Sequence, residues 1–265
     1  MHVISLTPLD LAFAAILILI LAGLSWRMRI GIERQLLLSA LRSTVQLLLI
    51  GLVLKVLFAH SSLGWVALMA TVMIVAAGRE VMLRQKRRMA GWWGFGLGTL
   101  AMFVSSFTVT VLALTLIIET TPWYTPQYAI PLLGMVLGNA MNGISLGLDR
   151  LTQEVCHKRP MIEARLALGQ TWHEAMGDSQ REAIRIGLIP IINSMAAAGV
   201  VSLPGMMTGQ ILAGAPPVEA VNYQILLMFL IAAGTGFGTI VAVKLTARRL
   251  FDERHRLRLD RLQQR

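Results

Sequence analysis

Apolar residues fall along the chain in seven blocks, at 9–26, 40–59, 63–77, 92–118, 129–148, 188–203 and 223–245. A helix rising about 1.5 Å per residue needs about 20 residues to cross a hydrocarbon core about 30 Å thick. Backbone groups in lipid are satisfied only inside helices or closed barrels, and these unalternating runs exclude the barrel. The pattern therefore predicts an all-α polytopic membrane protein with about seven transmembrane helices. The third block is short. The sixth is followed by Pro204, Gly205, Gly209 and Gly214, which predicts a broken or re-entrant extension before the last helix.

The cationic residues give these helices a direction, because cytoplasmic connections are enriched in Lys and Arg. Arg27, Arg29 and Arg34 follow the first block, and Arg79, Arg84, Lys86, Arg87 and Arg88 follow the third. The 150–185 stretch between the fifth and sixth is also basic, as is the tail at 246–265 with Arg248, Arg249, Arg254, Arg256, Arg258, Arg261 and Arg265. The alternate connections at 1–7, 60–62, 119–127 and 215–222 contain no Lys or Arg. An odd number of spans, with the N-terminus outside and the C-terminus cytoplasmic, satisfies every connection. Trp123, Tyr124 and Tyr128 then fall at the outer interface and Trp92 and Trp93 at the inner one. With no Lys or Arg ahead of the first block, that block is expected to be retained and not cleaved as a signal peptide.

Composition agrees: 55% of the 265 residues are hydrophobic and only 14% charged, against about 25% charged in soluble domains. The mean hydropathy is +0.66. The formal net charge of +10 sits in short stretches between apolar blocks and not along one soluble face, which argues against nucleic acid. Cys156 is the one cysteine, so no intramolecular disulfide can form; its neighbours His157 and Lys158 place it in a basic connection.

The longest polar stretch, 149–187, contains apolar Leu166, Leu168, Trp172 and Met176 between charges, predicting a short helix, a turn at Gly169 and Gln170, and a second helix running into the sixth block. Two readings stand for this pair: a solvated loop, or a surface that docks in a groove of a soluble partner. In the fifth block, Gly134, Gly138, Gly143 and Gly147 recur near four-residue spacing and predict a bare face for close helix packing. Asn139 and Asn142 are intramembrane amides, suited either to interhelical hydrogen bonding or to a polar pathway. Pro204 and Gly205 free backbone carbonyls, which lipid does not tolerate, so Met206, Met207, Thr208 and Gln210 fall either beside a translocation route or in the protein core. Thioethers are soft ligands, so the methionine pair alone does not argue for iron. Asp10, Glu119 and Glu219 are the carboxylates near the outer side, and Arg42 and Lys55 lie near opposite ends of the second block.

Glu163-Ala164 with Gly169 six residues on resembles the cytoplasmic EAA loop of ABC transporter permeases, with Arg165 at the loop's third position. The stretch from Val201 to Ile225, VSLPGMMTGQILAGAPPVEAVNYQI, and Ile130-Pro-Leu-Leu-Gly-Met-Val-Leu-Gly-Asn-Ala-Met-Asn142 resemble the signatures of the FetB-like iron-export ABC permease family, which also contains the plant aluminium-sensitivity permeases. The resemblance spans essentially the whole chain. It implies one ABC-permease-like transmembrane domain over 1–265, with 149–187 as the cytoplasmic coupling loop. It also implies a permease homodimer in a bacterial inner membrane, a separate ATPase subunit that carries ATP and Mg, and iron export. Glu163, Ala164, Gly169 and Trp172 would then couple to the ATPase. Asn139, Met141, Asn142, Pro204, Gly205, Met206, Met207, Thr208 and Gln210 would line the path, with the metal ligands unassigned.

The chain has no Gly-x-x-x-x-Gly-Lys-Ser/Thr loop, no His-Glu-x-x-His and no Gly-x-Ser-x-Gly, so a hydrolase is disfavoured and ATP-driven work needs a second polypeptide. An autonomous secondary transporter or a non-transporting scaffold or sensor are the alternative readings; the first calls for a buried mid-membrane ionisable group or two related halves, and the pattern shows neither.

Overall fold

The computed structural model describes residues 7–59 and 62–264. His2, His60 and Arg265, like most of the connections at 1–7 and 60–62, lie outside them. The chain divides into two compact units: residues 1–61 with 212–214, and residues 62–211 with 215–265.

The first unit is a pair of helices, α1 (Pro8–Arg27) and α2 (Glu33–Ala59). Thr7 caps α1 in a reciprocal box with Asp10, satisfying N–H groups that the first turn leaves without helical partners. Gly31 takes a left-handed φ of +80° in the connection, and the Ser25 hydroxyl donates to Glu33 across it at 3.2 Å. The apolar side chains of both helices are almost all exposed, as expected of surface designed to meet hydrocarbon and not water.

The second unit begins with α3 (Leu63–Arg84), β1 (Arg87–Met89), α4 (Trp92–Met102) and α5 (Thr108–Leu112). A π-helical turn at Phe103–Phe107 joins α4 to α5, and another at Ala113–Ile117 follows α5, so 92–117 is one continuous helical rod. Then come α6 (Pro126–His157), α7 (Arg159–Ala167), α8 (Trp172–Ala197), α9 (Gly205–Leu212), α10 (Pro217–Arg249), a 3-10 turn at Leu259–Arg261 and β2 (Leu262–Gln264). The centre is a three-helix joint of α6, α8 and α10 made possible by missing side chains. A Cβ on Gly143 would lie 2.6 Å from Thr235 Cγ2 and 2.8 Å from the Gly187 carbonyl oxygen, and one on Gly187 would lie 2.7 Å from the Gly143 carbonyl oxygen.

Among the described residues six helices are long and apolar enough to cross a membrane: α1, α2, α3, the 92–117 rod, α6 and α10. The third block is not short, since α3 carries on to Arg84. The sixth block does not form a separate helix. Its first part is the end of α8, which stops at Ala197, and Val200 and Val201 are 89% and 84% exposed in the turn beyond. The expected break at Pro204–Gly205 is present, with α9 starting at Gly205.

The glycine pattern in α6 needs correction. Gly143 and Gly147 pack against α8 and α10, but a Cβ on Gly138 would meet nothing within 4 Å and one on Gly134 would approach only Met73. Between Gly138 and Gly143 the step is five residues, about 140° around a helix of 3.6 residues per turn. The four glycines therefore occupy two opposite faces.

The basic tail is folded. Arg248 and Arg249 end α10, the chain turns back, and β2 pairs antiparallel with β1, Met89 opposite Leu262. Asp252 accepts from the backbone N–H groups of Arg254 and Arg256 at 3.0 and 2.8 Å. Arg261 donates to the carbonyls of Arg249 and Phe251 at 2.6 and 3.2 Å, and Arg249 lies 4.1 Å over the Trp93 ring.

Candidate coupling surface and translocation path

The helix pair of the polar stretch forms where the pattern predicts. Gly169 ends α7 with a φ of +89°, the left-handed conformation that glycine adopts without strain at a helix C-terminus. Two residues later Thr171 starts α8 in a capping box with Glu174, whose carboxylate accepts from Thr171 N–H at 2.7 Å. The pair is locked by Arg165, which donates to Asp178 at 3.0 Å. Arg165 chiefly, and then Arg181, hold the Asp178 carboxyl below its ordinary range, because both donate to its charged form.

Of the apolar residues of this stretch, Met176 is fully buried and Leu166 and Trp172 pack on the core. Leu168, the C-cap residue of α7 just before Gly169, is 84% exposed at the tip. Trp172 stacks on His173 and on Phe251 of the tail, the latter with ring centroids 5.9 Å apart. Glu163 stays at the surface, 2.8 Å from Arg159. A cleft of about 740 Å³ is lined by Glu163, Leu166, Gly169 and Gln170 on one side and Arg254, His255 and Arg256 on the other. Sequence reasoning missed this tail contribution, because contacts across some 90 positions leave no local signal; the only hint was the apolar Leu250-Phe251 directly after the charges of α10.

The path residues divide into two groups. Asn139 and Asn142 lie on the exposed stripe of α6, beside Gly138 and Leu146. The Asn139 amide donates to its own helix at the Met135 carbonyl, 2.9 Å away. The Asn142 oxygen accepts from Arg84 of α3 at 2.5 Å; this partner, 58 positions distant, was not legible in the sequence. Met141 is half-buried against the core. On α9, Met207 is buried, Met206 is half-exposed, and Thr208 returns both its N–H and its hydroxyl to the Pro204 carbonyl at 3.1 Å. The Gln210 side-chain oxygen is buried with no hydrogen-bond partner. Among the described residues no hydrogen bond joins the α9 group to Asn139 or Asn142, and no three His, Cys, Asp or Glu side chains converge as a metal cluster.

Six apolar membrane-length helices and a polar helix pair joined by a glycine turn define an all-α polytopic membrane protein. The chain belongs to the UPF0014 family: the model of the family described as "Uncharacterised protein family (UPF0014)" matches residues 8–251. It is 35% identical over 250 residues, 94% of this chain and 98% of the relative, to the UPF0014 membrane protein YjkA of Bacillus subtilis. The "Probable iron export permease protein FetB" of Escherichia coli is 33% identical over 263 residues, 97% of each chain. The Arabidopsis thaliana protein ALUMINUM SENSITIVE 3 is 32% identical over 246 residues, 93% of this chain and 88% of that one. No solved structure matches the chain.

Proposed function

We propose that this protein is the membrane-spanning permease subunit of an ABC transporter that exports iron or a related metal, driven by ATP bound with Mg on a separate ATPase subunit. The observation that carries the reading is the α7–α8 pair: a short helix, a glycine turn and a long capped helix that runs on into the bundle, so a push at the tip is delivered directly to the membrane region. Glu163, Ala164, Gly169 and Trp172 form its docking surface, and the relative named as a probable iron export permease supports the cargo class.

In this reading 1–265 is one transmembrane domain in a bacterial inner membrane, with the N-terminus outside and 149–187 and 246–265 cytoplasmic. The seventh crossing is supplied by the apolar end of α8 together with α9. Two copies face each other across the open stripe of α6. Between them Asn139, Met141 and Asn142 meet Pro204, Gly205, Met206, Met207, Thr208 and Gln210, offering amide, carbonyl and thioether ligands to a passing cation. The test is the variant carrying Asn139→Ala, Met206→Ala and Met207→Ala. It should lose metal tolerance and metal-stimulated ATPase activity while inserting normally; intact tolerance and stimulation would remove these residues from the path.

A further inference from the structure

A second cleft, of about 440 Å³, is lined by Lys86 and Arg87 where α3 passes into β1, and by Gln153, Cys156 and His157 near the end of α6. It is unrelated to the coupling cleft, shares no residue with it, and none of its residues was assigned to the path. Neither Lys86 nor Arg87 has an ion-pair partner among the described residues, whereas Arg150 on α6 and Lys158 just past its end are both taken by Glu154. Asp149, a carboxylate beside the cleft, already accepts from the Lys86 backbone N–H at 3.0 Å and from the Gln153 amide at 2.5 Å. These bonds hold the Lys86 backbone and Gln153 in place and leave both cationic side chains free.

The β1–β2 pairing fixes the backbone of Arg87, so the site is built and not a floppy loop. Two unpaired cations, an imidazole and an amide around one concavity form a donor set for a tetrahedral anion. The volume lies within the range of about 300–1,000 Å³ typical of small-molecule sites, leaving room for an organic group beside the anion. Lys86 also follows within two residues of the end of membrane-length α3, where unpaired cations meet phospholipid headgroups.

We infer that the Lys86–Arg87–His157 cleft binds a phosphate-bearing anion, either a phospholipid headgroup or a soluble phosphate. Cys156, the chain's one cysteine, lies in the lining and reports occupancy. The full-length protein is placed in nanodiscs of neutral phosphatidylcholine, which expose both faces, and the rate of Cys156 labelling by a small uncharged thiol reagent is measured. One arm adds phosphatidylglycerol to the bilayer; the other adds inorganic phosphate to neutral nanodiscs, with chloride balancing ionic strength. Occupancy at about ten times the dissociation constant slows labelling about tenfold. Slowing in the first arm identifies the lipid source and slowing in the second the soluble one, in each case provided that Lys86→Gln with Arg87→Gln abolishes it. Unchanged rates in both arms, or equal slowing in the wild type and the double variant, would overturn the proposal.

Discussion

Replacing Gly143 by alanine tests the three-helix joint, because the same change five residues away, at Gly138, should be harmless. At Gly143 the new methyl would sit 2.6 Å from Thr235 Cγ2 and 2.8 Å from the backbone oxygen of Gly187. The threonine can rotate, but the carbonyl belongs to the ladder of α8 and cannot. Reaching an ordinary contact of about 3.4 Å means moving α6 and α8 apart by about 0.6 Å, and overpacking of this kind costs about 1–3 kcal/mol. At Gly138 nothing lies within 4 Å, so alanine there brings only its better helix propensity, worth up to about 1 kcal/mol. Thermal unfolding of both variants in one detergent should show Gly143→Ala losing several degrees and Gly138→Ala holding or gaining. Equal destabilisation of the two, or none at Gly143, would refute the packing argument.

The remaining expectations concern the coupling pair and its clamp. Asp178 is held below the ordinary carboxylate range by Arg165 and Arg181. A depressed folded pKa means that its contribution is present above the unfolded value, about 3.9, and is lost only as pH falls through the lower folded value. Hydrogen exchange of α7 should therefore stay slow across neutral and mildly acidic pH, and Arg165→Ala should shift the onset of fast exchange upward; an unshifted onset would contradict the Arg165 tie. A double-mutant cycle of Trp172→Ala and Phe251→Ala, read by unfolding, should give a coupling of about 0.5–1.5 kcal/mol for the stacked rings, and additive losses would mean that the tail does not brace α8.

Much of the fold could be read from the sequence because lipid imposes one rule on every segment. The apolar block 9–26 became α1 almost at its expected limits and 223–245 forms the middle of the longer α10, and the turn at Gly169 was fixed by a residue suited to left-handed backbone. Hydropathy failed where a segment's surroundings are protein. The second helix did run into the block at 188–203 as expected, but α8 stops at Ala197, so the last residues of the block lie in a turn that hydropathy alone did not mark. Glycine spacing misled in α6, where one extra residue between Gly138 and Gly143 turned the stripe. Of the site, the α7–α8 pair was legible from its local pattern. The Arg84–Asn142 and Trp172–Phe251 contacts and the β1–β2 pairing were not, since each joins positions far apart through tertiary structure alone.

The central claim is that this chain works with an ATPase docked at Glu163. The direct measurement is affinity purification of the solubilised protein from its native membrane, wild type beside Glu163→Arg, with copurifying chains identified by mass spectrometry. Glu163 is half-exposed and pairs with Arg159, so the substitution reverses a surface charge without opening the core. The account predicts that a protein bearing a Gly-x-x-x-x-Gly-Lys-Ser/Thr loop accompanies the wild type and is lost from the variant. Wild-type protein that copurifies with no ATPase under gentle solubilisation, or an ATPase held equally by both forms, would contradict it.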